Sequence, residues 1–559
     1  MIEEIRKEVR GEERKEKQHA KGKLTARERL EILLDDISEF QPIELGVVSP
    51  MYKKIAGDGV IAGIGKIHGR TTFVFSQDFT VIGGSFGIKH AEKIARTISL
   101  AIKAGAPVVG IYDSGGARIQ EGSASLHSLG LIFYENVRAS GYIPQIAIMA
   151  GPCAGGASYS PALMDFVIAT EKSFMYLTGP QVVKTVLGLD ITHEALGGGS
   201  VHATKSGVAH FLAESDEDAI AIARHLLTYL PSNALEDPPR RKVSDSIERP
   251  LEAPAIIPED QMKAYDVHLL IEDIFDRGSF LELRAGRAQN AVVGFATLGG
   301  EVVGVVANNP AHLGGVIDID ASDKIARFVR TADAYNIPII TLVDAPGFMP
   351  GPDQEHGGII RHGAKVIYAY SEASVPKITV IVRKAYGGAY IAMGSKSMGA
   401  DLLYALPTAE IAVLGAEAAV RIIHRRELAS AEDPEEKLKE LVKEYREKYL
   451  KPQFALSVGI IDEIIKPEDL RKRLYKGIEF LKEKSEAMRI PKKHGIFPVR
   501  SFSRIFSTLS MSFFDLSSSP LLRYTLAKPK SILPLSREDA FLEYLIAILK
   551  LSSASSRSS

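Results

Sequence analysis

The chain of 559 residues has one cysteine, no tryptophan and almost no net charge. The lone cysteine, Cys153, excludes an intrachain disulfide and fits a reducing compartment. Lys plus Arg number 68 and Asp plus Glu 69, a formal charge of −1, so no bulk field draws nucleic acid or an anionic membrane. No apolar run approaches the ~18–20 residues that span a bilayer. The opening stretch, MIEEIRKEVRGEERKEKQHAKGK, is charged throughout and lacks the apolar core of a secretion signal. A cytosolic protein is expected. Its hydrophobic share, 45%, is ordinary for globular proteins, and its length exceeds what one core supports.

What the sequence does contain is a repeat of itself. DGVIAGIGKIHGRTTFVFSQD (58–78) parallels NAVVGFATLGGEVVGVVANNP (290–310). Each is two apolar strands around a glycine-containing turn, a hairpin signal. IGGSFGIKHAEKIAR (82–96) matches LGGVIDIDASDKIAR (313–327), which sets Lys93 against Lys324, an offset of 231. APVVGIYDSGG (106–116) matches IPIITLVDAPG (337–347), so Asp113 meets Asp344 at the same offset, and Gly155 meets Gly387 at 232. Strands alternate with helical periods in each copy, which predicts a tandem duplication of α/β units. The Pro- and charge-rich stretch 237–260 reads as the linker between them. Residues 425–448 read as a solvated charged helix. The Ser-rich tail 501–559 reads as peripheral, with 541–550 its one plausible helix.

Two short motifs suggest a nucleophilic serine. DSGG surrounds Ser114 as it does the serine of trypsin-like proteases, and Gly83–Gly87 fits the G-x-S-x-G elbow around Ser85. Copy two argues against both. It keeps Asp344 and Gly347 but has Ala345 for Ser114, and it keeps Gly314 and Gly315 but has Val316 for Ser85. A hydrolase also needs a histidine base, and His90, His127, His202, His210, His356 and His362 are the candidates. His202 and His210 flank ATKSGVA, where core or turn positions are the simpler reading than metal ligands, and no metal is expected. Cys153, beside a glycine turn, reads as a buried small residue rather than a reactive thiol.

The features common to both copies are glycine-bearing strand ends. Where a strand turns into a helix, the first backbone N–H groups are unpaired and point outward. Two such donors make an oxyanion hole, and each is worth on the order of 3 kcal/mol to a developing oxyanion. Two copies then mean two holes, unless the glycines serve only to let helix pack on strand.

The motifs KGKLTARERL (21–30), DSGGARIQEG (113–122), GPCAGGASYSPALMDF (151–166), TGPQVVK (178–184), HATKSGVAH (202–210), DIDASDKIARFVR (318–330), VDAPGFMPG (343–351), GGIIRHGAK (357–365), RKAYGGAYIAMGSK (383–396) and PTAEIAVLGAE (407–417) occur in order. Together they resemble the carboxyltransferase (β) subunits of biotin-dependent acyl-CoA carboxylases and the α subunits of methylmalonyl-CoA decarboxylases. The resemblance implies two crotonase-like (ClpP/crotonase) domains, at 1–250 and 260–498, with a peripheral tail at 499–559. It implies an acyl-CoA side in the first and a biotin side in the second. Gly155 and Gly156 would form the first hole, and Gly388 and Ala389 the second. Gly115, Gly116, Gly347 and Ile391 would line the substrate. Biotin itself would take the acyl α-proton, so no protein acid–base pair is required. No A-M-K-M biotinylation motif and no Walker loop occur in the chain. Biotin therefore implies a biotin carboxyl carrier protein, with either a biotin carboxylase subunit or membrane decarboxylase subunits. A homohexamer is implied, with propionyl-CoA or methylmalonyl-CoA as substrate. The alternatives are a thioester hydrolase using Ser85 or Ser114, and a scaffold subunit that binds CoA without chemistry.

Overall fold

Two eight-stranded mixed sheets, built to one plan, carry the chain. The computed structural model describes residues 12–43 and 56–487, so the tail after 499 and its expected helix lie outside the described residues. Sheet one contains β1 (Gln41–Pro42), β2 (Val60–Ile67), β3 (Arg70–Gln77), β4 (Val108–Ser114), β5 (Gln145–Ala154), β6 (Phe166–Thr170), β7 (Phe174–Tyr176) and β8 (Phe211–Ala213). Its order is β1-β2-β3-β4-β5-β6-β8, with β7 pairing the end of β5. Sheet two repeats this with β9 (Leu281–Glu282), β10 (Ala291–Leu298), β11 (Glu301–Asn308), β12 (Ile339–Ala345), β13 (Lys377–Tyr386), β14 (Leu402–Ala405), β15 (Glu410–Ala412) and β16 (Glu463–Ile464).

The duplication read from the sequence is visible in the register. The first hairpin pairs Val60 with Gln77 and the second pairs Ala291 with Asn308, each partner 231 residues on. Both turns need two residues in the left-handed region, as type I′ hairpins do. His68 and Gly69 supply φ of 52° and 72°, and Gly299 and Gly300 supply 61° and 83°. Even an irregularity is copied. The β4–β5 pairing shifts between Tyr112 and Ser114, and the β12–β13 pairing shifts between Val343 and Ala345.

Amphipathic helices cover the sheets. The helix Ile88–Ala104 buries Ala91, Ile94, Ile98 and Ala101 and stops at Gly105, whose φ of 61° suits a left-handed cap. Its counterpart is Ile319–Ala334. The repeated lysine has the same task in both. Lys93 Nζ donates to the carbonyls of Gly57 and Val60 at 3.0 and 2.9 Å, and Lys324 Nζ to those of Arg284 and Arg287 at 3.0 and 2.9 Å. Each ties down the irregular backbone that leads into a hairpin.

The two sheets share one apolar core, which draws Ile146, Phe166 and Leu226 from copy one and Phe295, Val306 and Phe328 from copy two. Phe166 meets Phe295 edge-on at 6.2 Å between centroids. At this seam the Tyr335 hydroxyl donates to the buried carboxylate of Asp165, and Arg327 Nη2 donates to the Met164 carbonyl at 3.2 Å. The 237–260 stretch runs along copy two, where the Arg241 N–H donates to the Gly300 carbonyl. Residues 425–448 form helices Arg425–Ser430 and Pro434–Tyr445 that bury little beyond Leu441.

Candidate active site

In both copies the central strand ends in a glycine pair and turns into a helix. After β5 come Gly155 and Gly156, opening a 3-10 turn, Gly155–Ser158, that runs into the helix Tyr159–Leu163. After β13 come Gly387 and Gly388, the first residues of the helix Gly387–Ala392. Neither start has a side-chain cap. The leading N–H groups of a helix have no intrahelical acceptor, so Gly155 to Ala157 and Gly387 to Ala389 form two short runs of donors at helix N-termini.

The glycines divide into two kinds. Gly155 and Gly387 have φ of 66° and 58°, a region that favours glycine, and the fold alone explains them. Gly156 and Gly388 are not in that region. A Cβ there would meet only Leu129 Cδ1 at 3.4 Å and the Phe348 ring at 3.6 Å, both ordinary contacts. The backbone does not require glycine at these two positions. The register also shows that Gly156 and Ala157 are the equivalents of Gly388 and Ala389, one step on from the Gly155–Gly156 pair singled out in the sequence.

The turns after β4 and β12 are fixed differently. Gly115 N–H donates to the Gly83 carbonyl at 2.8 Å and Gly116 N–H to Ser114 Oγ at 3.1 Å, so both are spent within the fold. Gly116 has φ of 100° and its missing side chain leaves room for the Ala154 carbonyl. Gly347 has φ of 148°, with open space where a Cβ would stand. Any part Gly115 and Gly116 play toward a ligand is through shape. Ile391, on the helix after Gly388, is 43% exposed.

The serines are accounted for. Ser85 Oγ accepts from Arg118 Nε at 3.2 Å, and Arg118 is buried in a cluster with Asp58 at 2.7 Å and Glu121 at 2.8 Å. Ser114 is fully buried and accepts from Gly116 N–H. Among the described residues neither has a histidine partner. His90 is buried between the Asp58 carbonyl at 2.8 Å and the Gln77 amide at 3.0 Å, and burial pushes it down to about 3. His210 accepts the Val167 N–H at 3.0 Å, and burial holds it well below its ordinary range. His202 lies between Ser206 Oγ at 2.7 Å and the Met175 carbonyl at 2.6 Å. His362 pairs with Asp323 at 2.8 Å. Cys153 is buried and its thiol is pushed up by burial. Among the described residues no group of three His, Cys, Asp or Glu is placed to hold a metal ion. No helix of the described residues is long and apolar enough to cross a membrane.

The repeated aspartates turn out to anchor the strand ends, by two different routes. Asp113 accepts from Lys23 at 2.6 Å, Arg29 at 3.0 Å and Gln18 at 3.1 Å, all from the segment ahead of sheet one. Asp344 accepts from Arg383 Nε at 2.7 Å, on β13 itself. The position equivalent to Arg383 is Gly151, where a Cβ would stand 2.1 Å from Asp113 Oδ1 and 2.4 Å from Lys23 Nζ. Glycine there makes room for the Asp113 carboxylate and for Lys23. Sequence reading missed this set, although KGKLTARERL carries Lys23 and Arg29.

Two copies of a strand-end turn followed by an uncapped helix start make this a tandem crotonase-like fold. Its relatives agree. Residues 17–497 match the family described as the carboxyl transferase domain, and the chain belongs to that family. It is 50% identical over 496 residues to the propionyl-CoA carboxylase carboxyltransferase subunit of Haloferax mediterranei, covering 88% of this chain and 96% of that one. It is 46% identical over 497 residues to the methylmalonyl-CoA decarboxylase subunit alpha of Propionigenium modestum, covering 88% and 96%. Among solved structures it is similar to the transcarboxylase 12S hexamer with methylmalonyl-coenzyme A and methylmalonic acid bound. That likeness has a TM-score of 0.85 at 47% identity, covering 89% of this chain and 98% of that one.

Proposed function

We propose that the chain moves a carboxyl group between biotin on a partner carrier protein and a short acyl-CoA, with propionyl-CoA and methylmalonyl-CoA as the substrate pair. The observation that carries the reading is the pair of helix starts whose second glycines, Gly156 and Gly388, the fold does not require. Each presents backbone donors without a side chain in front of them, which suits a carbonyl oxygen that gains negative charge.

In this reading the Gly155–Gly156 run holds the thioester oxygen and polarises its carbonyl, which makes the α-carbon acidic. The Gly388–Ala389 run holds the ureido oxygen, with the Phe348 ring beside it as an apolar wall. Biotin, when bound, supplies the carboxyl group and a nitrogen able to take the α-proton. The chain's own contribution is to fix both carbonyls and keep competing side chains away. Ile391, apolar and partly exposed, suits a short alkyl group. Thioester hydrolysis is disfavoured, because Ser85 is held by Arg118 and Ser114 by Gly116.

Partners follow from the reading: a biotin carboxyl carrier protein, and a biotin carboxylase subunit or membrane decarboxylase subunits that decide the direction. The hexamer named for transcarboxylase 12S is the assembly inferred here, and the cytosol the setting. The test gives the purified chain methylmalonyl-CoA with and without biotin. Biotin-dependent propionyl-CoA without thiol release is expected. Biotin-independent thiol release would overturn the reading in favour of a hydrolase.

A further inference from the structure

Resting on the reading that copy one takes the acyl-CoA, we propose that the segment Gln18–Arg29 is a strap that sets the first donor run for the thioester, with Lys23 and Arg29 as positioning residues. The comparison of the two copies carries this. In copy two the anchor of Asp344 is Arg383, part of the same sheet. In copy one the anchors arrive from outside the sheet, and β5 has no side chain at Gly151, where the Asp113 carboxylate and Lys23 meet.

The strap grips both strands that build the turn. Arg29, fully buried, reaches Asp113 on β4 through Nη1 and the Ala150 carbonyl on β5 through Nη2 at 3.2 Å. Its Nε holds Asp216 at 2.8 Å, which fixes the strap to the helix Asp216–Leu227. Lys23 Nζ lies 2.6 Å from the Asp113 carboxylate and 4.9 Å from the Phe79 ring centroid. Phe79 in turn packs toward Gly83, whose carbonyl receives the Gly115 N–H. Asp113 sits at the step where the β4–β5 register shifts, and the next pair, Ser114 with Cys153, lies two residues before Gly155. A change at the Asp113 carboxylate therefore moves the seat of the donors.

The test uses the full chain and Lys23→Met, since Lys23 keeps some solvent exposure, 10% of its side chain, whereas Arg29 has none. The Michaelis constant for methylmalonyl-CoA should rise on the order of tenfold while that for biotin stays within about twofold. Lys23→Arg should restore it. A shift of both constants together, a loss that follows the melting temperature, or no change would overturn the proposal. Calorimetric titration with propionyl-CoA keeps the two readings apart. A wild-type chain that binds propionyl-CoA yet transfers nothing refutes the proposed function. The strap is then judged by affinity alone, and an unchanged affinity in Lys23→Met sinks it.

Discussion

Gly156→Val is the substitution that separates a glycine kept for chemistry from one kept for packing. The backbone at 156 is acceptable to any residue, and a Cβ would rest 3.4 Å from Leu129 Cδ1. The γ-carbons of valine extend a further ~1.5 Å. Leu129 is buried and blocks the inward direction, so at least one γ-methyl turns out over the donor run. Valine at a helix start costs under about 1 kcal/mol of stability. Losing one preorganised donor costs about 3–4 kcal/mol in the transition state, or roughly 10²- to 10³-fold in rate. The variant should therefore melt close to wild type yet lose biotin-dependent conversion of methylmalonyl-CoA by at least about a hundredfold. Gly155→Ala is the opposite control. Its φ of 66° makes alanine strained, by about 1–2 kcal/mol, so stability should fall whatever happens to the rate. The measurements are a melting curve and a rate for each variant. A well-folded Gly156→Val with a rate within about threefold of wild type would refute the assignment of these donors to the reaction.

Three further outcomes are expected. Burial pushes the Asp165 carboxyl up to about 7, against hydrogen bonds from Tyr335 and the Gln145 N–H. Its folded value exceeds its unfolded one, so its contribution is whole below about pH 4 and lost as pH rises through 7; Asp165→Asn should flatten that limb of the melting-temperature profile. His268, hydrogen-bonded to Glu282 and Asp266, is raised to about 9. Its stabilisation is full below about pH 6.5 and lost as pH rises through 9, so His268→Gln should remove that share of the fall in melting temperature and leave the Asp165 limb in place. Cys153 should resist a thiol reagent in the native protein and react only on unfolding, because burial keeps it protonated.

The duplication was the most legible feature, because it is written in spacing. Offsets of 231 and 232 mark both hairpins, both central strands and both glycine turns in the sequence, and β2–β3 and β10–β11 pair in that register. What spacing could not show was partnership across 90 residues. Asp113 stands out in the sequence only as the repeat equivalent of Asp344, and the fold alone brings Lys23 and Arg29 to it. Nor could spacing assign reasons to the glycines. Gly84 lies inside the stretch that fits a nucleophile elbow and recurs as Gly315, yet a Cβ at either would collide with the carbonyl of Asp113 or Asp344, at 2.2 and 2.5 Å. Their recurrence is a matter of close approach between backbone segments.

Within one chain the two copies act as each other's control. Features held in both, such as Lys93 and Lys324 or Asp113 and Asp344, answer needs of the shared fold, and each is found satisfying buried backbone or a buried ion pair. Features that differ mark where the two copies part company. Copy one sets Leu129 beside its donor run, while copy two sets the Phe348 ring beside Gly388 and makes Gly363 bare to seat it, with a Cβ there only 3.0 Å from the ring. A glycine inside a helix costs about 1 kcal/mol, and copy two accepts that cost for one aromatic ring at its donor run. At the equivalent of Phe348 copy one has Ala117. A symmetric reaction would need no such difference. On the proposed function, two unlike ligands, each with one carbonyl to be held, account for donors that are repeated and walls that are not.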